Sequence, residues 1–335
     1  MSSLSIGDLS QAYQTRRQMA QLKSDVARHG MELSTGQTAS LSRTVAGDFT
    51  PIAGIERALK ALDGYRTATS EAATFVETLQ VTLENVQSLA SGVASGLLLA
   101  ASSSNPALIE AAGNDARQRF DATIQTLNTR AADRVLLGGV ATDGPAMIAP
   151  DAMMAALQAE IASETGAAGI EAKVAAWFDS PTGYAAVAYQ GSATPLAPFQ
   201  VGAAEAVQLS VTANDPLLRN SLIGFAMAAL VGSGALAGNP PEQASLARAA
   251  GERMLTADSG LANLRAEIGS VEARIDEAAT RNEAERTALQ LARAAIVSVD
   301  PFEAASQLEA TQTQLETLYT ITARLARLNL ADFLR

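Results

Sequence analysis

Met254-Leu-Thr-Ala257-Asp-Ser-Gly-Leu261-Ala-Asn-Leu264-Arg-Ala-Glu-Ile268-Gly-Ser-Val271-Glu-Ala-Arg-Ile275 carries an apolar residue every three, then four, positions. The series continues through Ala278, Asn282, Leu289, Ala292 and Ile296. That spacing keeps one narrow stripe facing a neighbouring helix, the packing logic of a coiled coil. The same register fills an earlier segment, where Ile55, Leu62, Thr69, Val76, Leu83, Ala90 and Leu97 share one line. Tyr65, Ala72, Leu79, Val86 and Val93 fall three residues after members of that line. Two long segments therefore each need a helical partner along their length.

Length sharpens the point. A sphere of 335 residues would have a diameter of about 50 Å. A helix over 244–296 would be about 75 Å long at 1.5 Å per residue. The expectation is an elongated, mainly α molecule: an antiparallel helical rod built from both termini, with an inserted α+β domain.

The remaining helices follow from local signals. A first helix spans about Leu9 to Leu33, with Ala12, Met19, Val26 and Leu33 on one line and Thr15, Leu22 and His29 on another. Gly36 supplies a permissive stop. Residues 37–51 are polar and read as a loop, and a second helix runs from Ile52 to Ala101. Asn105-Pro106 restarts a helix with a cap and a first-turn proline. Arg134-Val-Leu-Leu-Gly-Gly139 before Thr142-Asp-Gly-Pro145 predicts a short hairpin. Asp300-Pro-Phe-Glu303 is a capping-box start for the last helix, which aligns Leu308, Leu315 and Thr322, with Leu318 and Leu325 on a second line.

Residues 150–239 differ in composition and hold the only tryptophan, Trp177. Within them Gly183–Tyr189 and Val207–Thr212 are expected as strands, and Asp151–Ser163 and Asp215–Leu236 as helices. The organisation read from this is 1–44 with 299–335 as terminal assembly segments, 45–149 with 240–298 as a helical rod domain, and 150–239 as the insert.

Composition narrows the function classes. A formal charge of −11 disfavours a general nucleic-acid or anionic-membrane surface. Aromatics at 4% suit slender helical seams better than a thick core. The chain has no cysteine and one histidine, His29, which excludes disulfides, a Cys nucleophile and any two-histidine metal site. His29 lies on the seam side of its helix and reads as a packing residue. The acidic residues Glu267, Glu272, Asp276, Glu277, Glu283 and Glu285 mark solvated helix faces and do not converge. No active site, cofactor site or metal site is expected. Asn220–Pro241 carries no charge, but its apolar part falls short of the ~20 residues a bilayer requires. A buried helix is expected there.

Four stretches carry a family resemblance. Glu32-Leu-Ser-Thr-Gly36 resembles the "ELSSG" that closes the first helix of bacterial flagellin-like proteins, and Arg134–Gly139 resembles their "RYLFGG" hairpin entry. Ala266-Glu-Ile-Gly-Ser-Val-Glu-Ala-Arg274 is similar to the "xxxGxxxxR" of their return helix. Asp300-Pro-Phe-Glu-Ala304 through Leu328-Asn-Leu-Ala-Asp-Phe-Leu334 is similar to their terminal helix. The chain most resembles the hook-associated protein 3 branch, the hook–filament junction proteins. Tyr189-Gln-Gly191, Val207–Thr212 and the Asp215 helix favour that branch over filament flagellin. The family's "SDDP" appears only as Ala46-Gly-Asp-Phe-Thr-Pro51, and Gln37 stands where a basic residue is usual.

The resemblance implies a non-enzymatic structural subunit, exported unfolded by type III export to an extracellular bacterial flagellum. It implies a homo-oligomeric ring contacting hook-associated protein 1 and flagellin, and a flagellar export chaperone. Filament flagellin is the alternative; a type III secretion translocator or tip protein, with Leu222–Ala237 entering a membrane, is the second. Assembly is expected through Leu9, Met19, Leu22, Val26 and Leu33 of the first helix and Leu308, Leu315, Leu318, Leu325 and Leu328 of the last. Ordering backbone costs roughly 1–2 kcal/mol per residue, while a buried Leu returns about 1.5–3 kcal/mol. With about one strong apolar residue per turn, each end is expected to stay disordered alone and to fold only under cover. Asn282, polar within an apolar line, is expected to fix register.

Overall fold

The computed structural model describes residues 6–103 and 105–333. In chain order the elements are α1 (Ile6–Thr35), α2 (Leu41–Thr44), α3 (Thr50–Ser103) and α4 (Pro106–Leu127), then β1 (Arg130–Ala131) and β2 (Arg134–Val135). They continue with α5 (Pro150–Ile161), α6 (Ala167–Asp179), α7 (Tyr184–Val187), β3 (Phe199–Gly202), β4 (Glu205–Val207) and α8 (Pro216–Gly232). The long α9 (Pro240–Val297) and the terminal α10 (Pro301–Phe333) complete the chain. The protein is mainly α, with two short antiparallel hairpins among the described residues. It divides into two compact units, residues 1–62 with 284–335, and residues 63–283.

In the larger unit the heptad reading becomes packing. Phe75, Leu79, Leu83, Val86, Ala90, Val93 and Leu97 of α3 are buried, as are Met254, Leu261, Leu264, Ile268 and Ile275 of α9. Polar residues beside these stripes fix which turns meet. Gln80 Nε2 donates to the Arg265 carbonyl at 2.9 Å, Gln87 Nε2 to Asp258 Oδ1 at 2.8 Å, and Arg265 Nη1 to Gln87 Oε1 at 2.9 Å. Each bond crosses between the two helices, so a slip of one turn would break all three.

The start signals hold locally. Asn105 Oδ1 accepts from the Ala107 amide at 3.0 Å and Asp215 Oδ1 from the Leu217 amide at 2.9 Å. Both satisfy a first-turn donor that the helix itself leaves open. The uncharged segment Asn220–Pro241 begins within α8, where every residue from Ser221 to Val231 is buried. Such a helix needs cover on every side. The one described helix long and apolar enough to cross a membrane is α3, and its apolar stripe lines this core.

Three sequence expectations in 130–213 are corrected. Gly183–Tyr189 is not a strand: Tyr184–Val187 is a single helical turn closed by the Ala188 amide on the Tyr184 carbonyl at 2.9 Å. The tyrosines decide this. Tyr184 is fully buried, stacks on Phe178 at 5.0 Å and donates its hydroxyl to the Ala213 carbonyl at 2.6 Å. Burial holds its phenol well above the usual tyrosine range. Of Val207–Thr212, only Val207 belongs to a strand, the end of β4, whose partner is β3. The first hairpin turns at Ala132-Asp133, ahead of the segment that predicted it. Both residues have positive φ, 47° and 64°, the geometry of a two-residue hairpin turn. The polar stretch 37–51 also contains the short α2, and α6 joins the core through Trp177 and Phe178.

Candidate functional site

The smaller unit holds the two terminal helices, and its construction begins at the joint behind them. Gly36, at φ 66°, ends α1 and returns its amide to the Glu32 carbonyl at 2.9 Å. The chain then pairs with the α9–α10 link. The Thr38 amide donates to the Val297 carbonyl at 2.8 Å and the Val299 amide to the Gly36 carbonyl at 3.0 Å, around a Gln37–Ser298 bridge. On the far side of that link Asp300 Oδ1 accepts from the Phe302 amide at 2.8 Å, which starts α10.

His29 belongs to this joint. It is buried, as is Glu32. Its Nε2 lies 3.2 Å from Arg28 Nη2 and its Nδ1 3.1 Å from Glu32 Oε2. A guanidinium only donates, so Nε2 is the acceptor and Nδ1–H donates to the carboxylate. The other oxygen, Glu32 Oε1, accepts from the Ala39 amide at 3.1 Å. The ring is thus held at both nitrogens as a packing residue.

Beyond the joint, α1 and α10 run antiparallel. Met19, Leu22 and Val26 of α1 and Leu308, Leu315 and Leu318 of α10 are half-buried. Lys23 lies 5.7 Å from the ring centre of Tyr319, so these two residues stand level. Leu33 and Leu325 are 39% and 43% exposed. The side chains of Leu9 and Leu328 lie outside the described residues. Between the helices Leu22, Gln18, Gln314, Thr317, Leu318 and Ile321 line an open groove of about 260 Å³. Each terminal helix therefore supplies part of the other's cover, and half-burial is as far as that cover goes.

The sequence reading missed the outward face of α1. Tyr13, Ala20 and Ala27 recur every seven residues, as do Arg17, Ser24 and Met31. All six are exposed, Tyr13 at 69% and Met31 at 56%. Small residues between two large apolar ones do not register as an apolar stripe, so only the spacing could have revealed it.

Asn282 sits in the larger unit with a partner the seam reading did not anticipate. Its Nδ2 donates to the Val201 carbonyl of β3 at 2.7 Å. Beside it Glu205 pairs with Arg281, and with Arg274 at 4.0 Å, while Phe199 meets Phe75 with ring centres 6.1 Å apart. The Asn282 bond ties the β3–β4 hairpin to α9. Asn282→Leu is therefore expected to destabilise the larger unit by about 1–2 kcal/mol, because the strand carbonyl loses its donor. Urea unfolding of the full chain checks this, and a gain in stability would restore the seam interpretation.

Residues 254–334 match the bacterial flagellin C-terminal helical region. Among solved structures the chain is similar to a Vibrio parahaemolyticus protein assigned to the flagellar hook-associated proteins. The TM-score is 0.54 at 12% identity, over 74% of this chain and 98% of that one. At that identity the likeness is one of fold. No curated protein matches the chain by sequence.

Proposed function

We propose, on the premise that this chain is flagellin-like in its C-terminal sequence and shares the fold of a hook-associated protein, that it is a structural subunit of the bacterial flagellum. In this reading it is exported and joins the hook and adaptor zone to the flagellin filament. It polymerises through α1 and α10 into a ring of like subunits, with hook-associated protein 1 on one side and flagellin on the other. Segments 1–44 and 299–335 carry assembly, while 150–239 forms an insert.

The observation that carries the reading is the incomplete cover of the terminal pair. Met19, Leu22, Val26, Leu308, Leu315 and Leu318 are half-buried, and Tyr13, Met31, Ile321 and Leu325 are exposed. Apolar surface left open along both ends of a chain is the mark of a subunit that borrows cover from its neighbours. The flagellin match over 254–334 supports the same reading and also suits filament flagellin, the second reading.

A deletion strain separates the two. Loss of a junction protein leaves intact hooks and releases unassembled flagellin into the medium. Loss of a filament subunit removes the filament protein itself, so none is shed. Normal filaments on the deletion strain would reject both.

A further inference from the structure

Once α1 and α10 have paired, their outward surfaces carry opposite charge. On α1 the exposed Arg16 and Arg17 have no ion-pair partner among the described residues, whereas Asp25 is already held by Arg28 at 2.7 Å. On α10 Glu309 and Glu316 are exposed and equally without an ion-pair partner among those residues. Apolar residues accompany the arginines on α1, where Tyr13 and Met31 are exposed. Neither surface can satisfy the other within one chain, because the two helices face each other with their inner stripes.

We propose that a second copy of this chain lays its α10 on the outward face of α1, with Glu316 of one copy meeting Arg16 and Arg17 of the next and Glu309, about 10 Å further along, standing level with Lys23. The inference rests on the assembly reading above and names the recognition chemistry within it. Two different faces meet, so the contact is heterologous, and successive copies add around the ring as a stepped turn.

The charges also fix the offset between copies. With Lys23 level with Tyr319, Arg16 and Arg17 stand level with the stretch beside Arg324 of their own α10. Neighbours packed side by side at the same height would set arginine against arginine. A slide of about 14 Å, the rise of nine to ten helical residues, brings Glu316 there instead. The pattern thus selects a stepped arrangement over a level one, with like charges opposing the wrong registry.

The test uses the full-length chain and two double variants, Arg16→Glu with Arg17→Glu, and Glu309→Lys with Glu316→Lys. Helix content by circular dichroism confirms folding, and self-association is read by sedimentation. Each variant alone should associate at least about ten-fold more weakly than the parent at low salt, since each now repels itself. An equimolar mixture of the two should recover association, because every acidic α1 then finds a basic α10 and every basic α1 an acidic one. Raising salt should weaken the parent and narrow its difference from each variant. Undiminished association of the variants overturns the proposal, and so does a mixture that stays unassociated. If deleting residues 1–35 blocks assembly while both charge variants assemble normally, only this inference falls. If the deletion itself assembles, the reading beneath it falls too.

Discussion

Deleting residues 1–35 is expected to abolish assembly and to melt α10 as well, so that far more helix is lost than was removed. The inner stripe of α10, Leu308, Leu315 and Leu318, is only half-buried with α1 present. Without α1 these residues stand in water, and α10 becomes a single 33-residue helix with one apolar residue per turn and nothing beneath it. Holding a backbone residue in one conformation costs roughly 1–2 kcal/mol, and an isolated helix recovers that only through internal hydrogen bonds and pairs of a few tenths of a kcal/mol. The truncated chain should therefore lose mean residue ellipticity for two helices, while the larger unit, residues 63–283, keeps its own unfolding transition. Incorporation into flagella should drop below detection. Retained helicity in 301–333 by hydrogen exchange would show that α10 stands without its partner.

The ends thus bear on how much of the molecule the sequence discloses. Seven-residue spacing located α1, α3, α9 and α10 to within a few residues, because a stripe that must face one neighbour leaves a period that composition cannot hide. Caps did the same for α4 and α8, since Asn105 and Asp215 each precede a proline and hold a first-turn amide. The stretch from 130 to 213 was less legible. Ala-Asp at 132–133 lacks the glycine or asparagine that usually marks a two-residue hairpin turn. Around Tyr184 the deciding interaction is with the Ala213 carbonyl, 29 positions away, which no local pattern contains. On the terminal helices the inward leucines were legible and the outward stripe was not. Tyr13, Arg17, Ala20, Ser24, Ala27 and Met31 share spacing without sharing hydrophobicity. Asn282 was singled out correctly as out of place, but its partner belongs to a strand 81 positions away.

Gly232→Ala is expected to destabilise the larger unit by about 1–3 kcal/mol through overpacking, although alanine is the better helix former. Here α8 crosses α4 backbone to backbone. A Cβ on Gly232 would lie 2.2 Å from the Gly113 carbonyl oxygen and 2.4 Å from its carbon. The contact is reciprocal, since a Cβ on Gly113 would lie 2.6 Å from the Gly232 amide nitrogen. Neither neighbour is a flexible side-chain end that could swing away, so the helices must separate. Separation would loosen α8, whose buried length from Ser221 to Val231 holds the middle of the core. Gly96 gives the opposite sign in the same molecule: it is exposed within α3 and a Cβ there meets nothing within 4 Å. Gly96→Ala should stabilise by about 0.5–1 kcal/mol, the ordinary difference between the two residues in a helix. Thermal unfolding should therefore move down by roughly 2–12 °C for Gly232→Ala and slightly up for Gly96→Ala. Equal shifts of the same sign would mean that propensity, and not the close crossing of α4 and α8, governs these glycines.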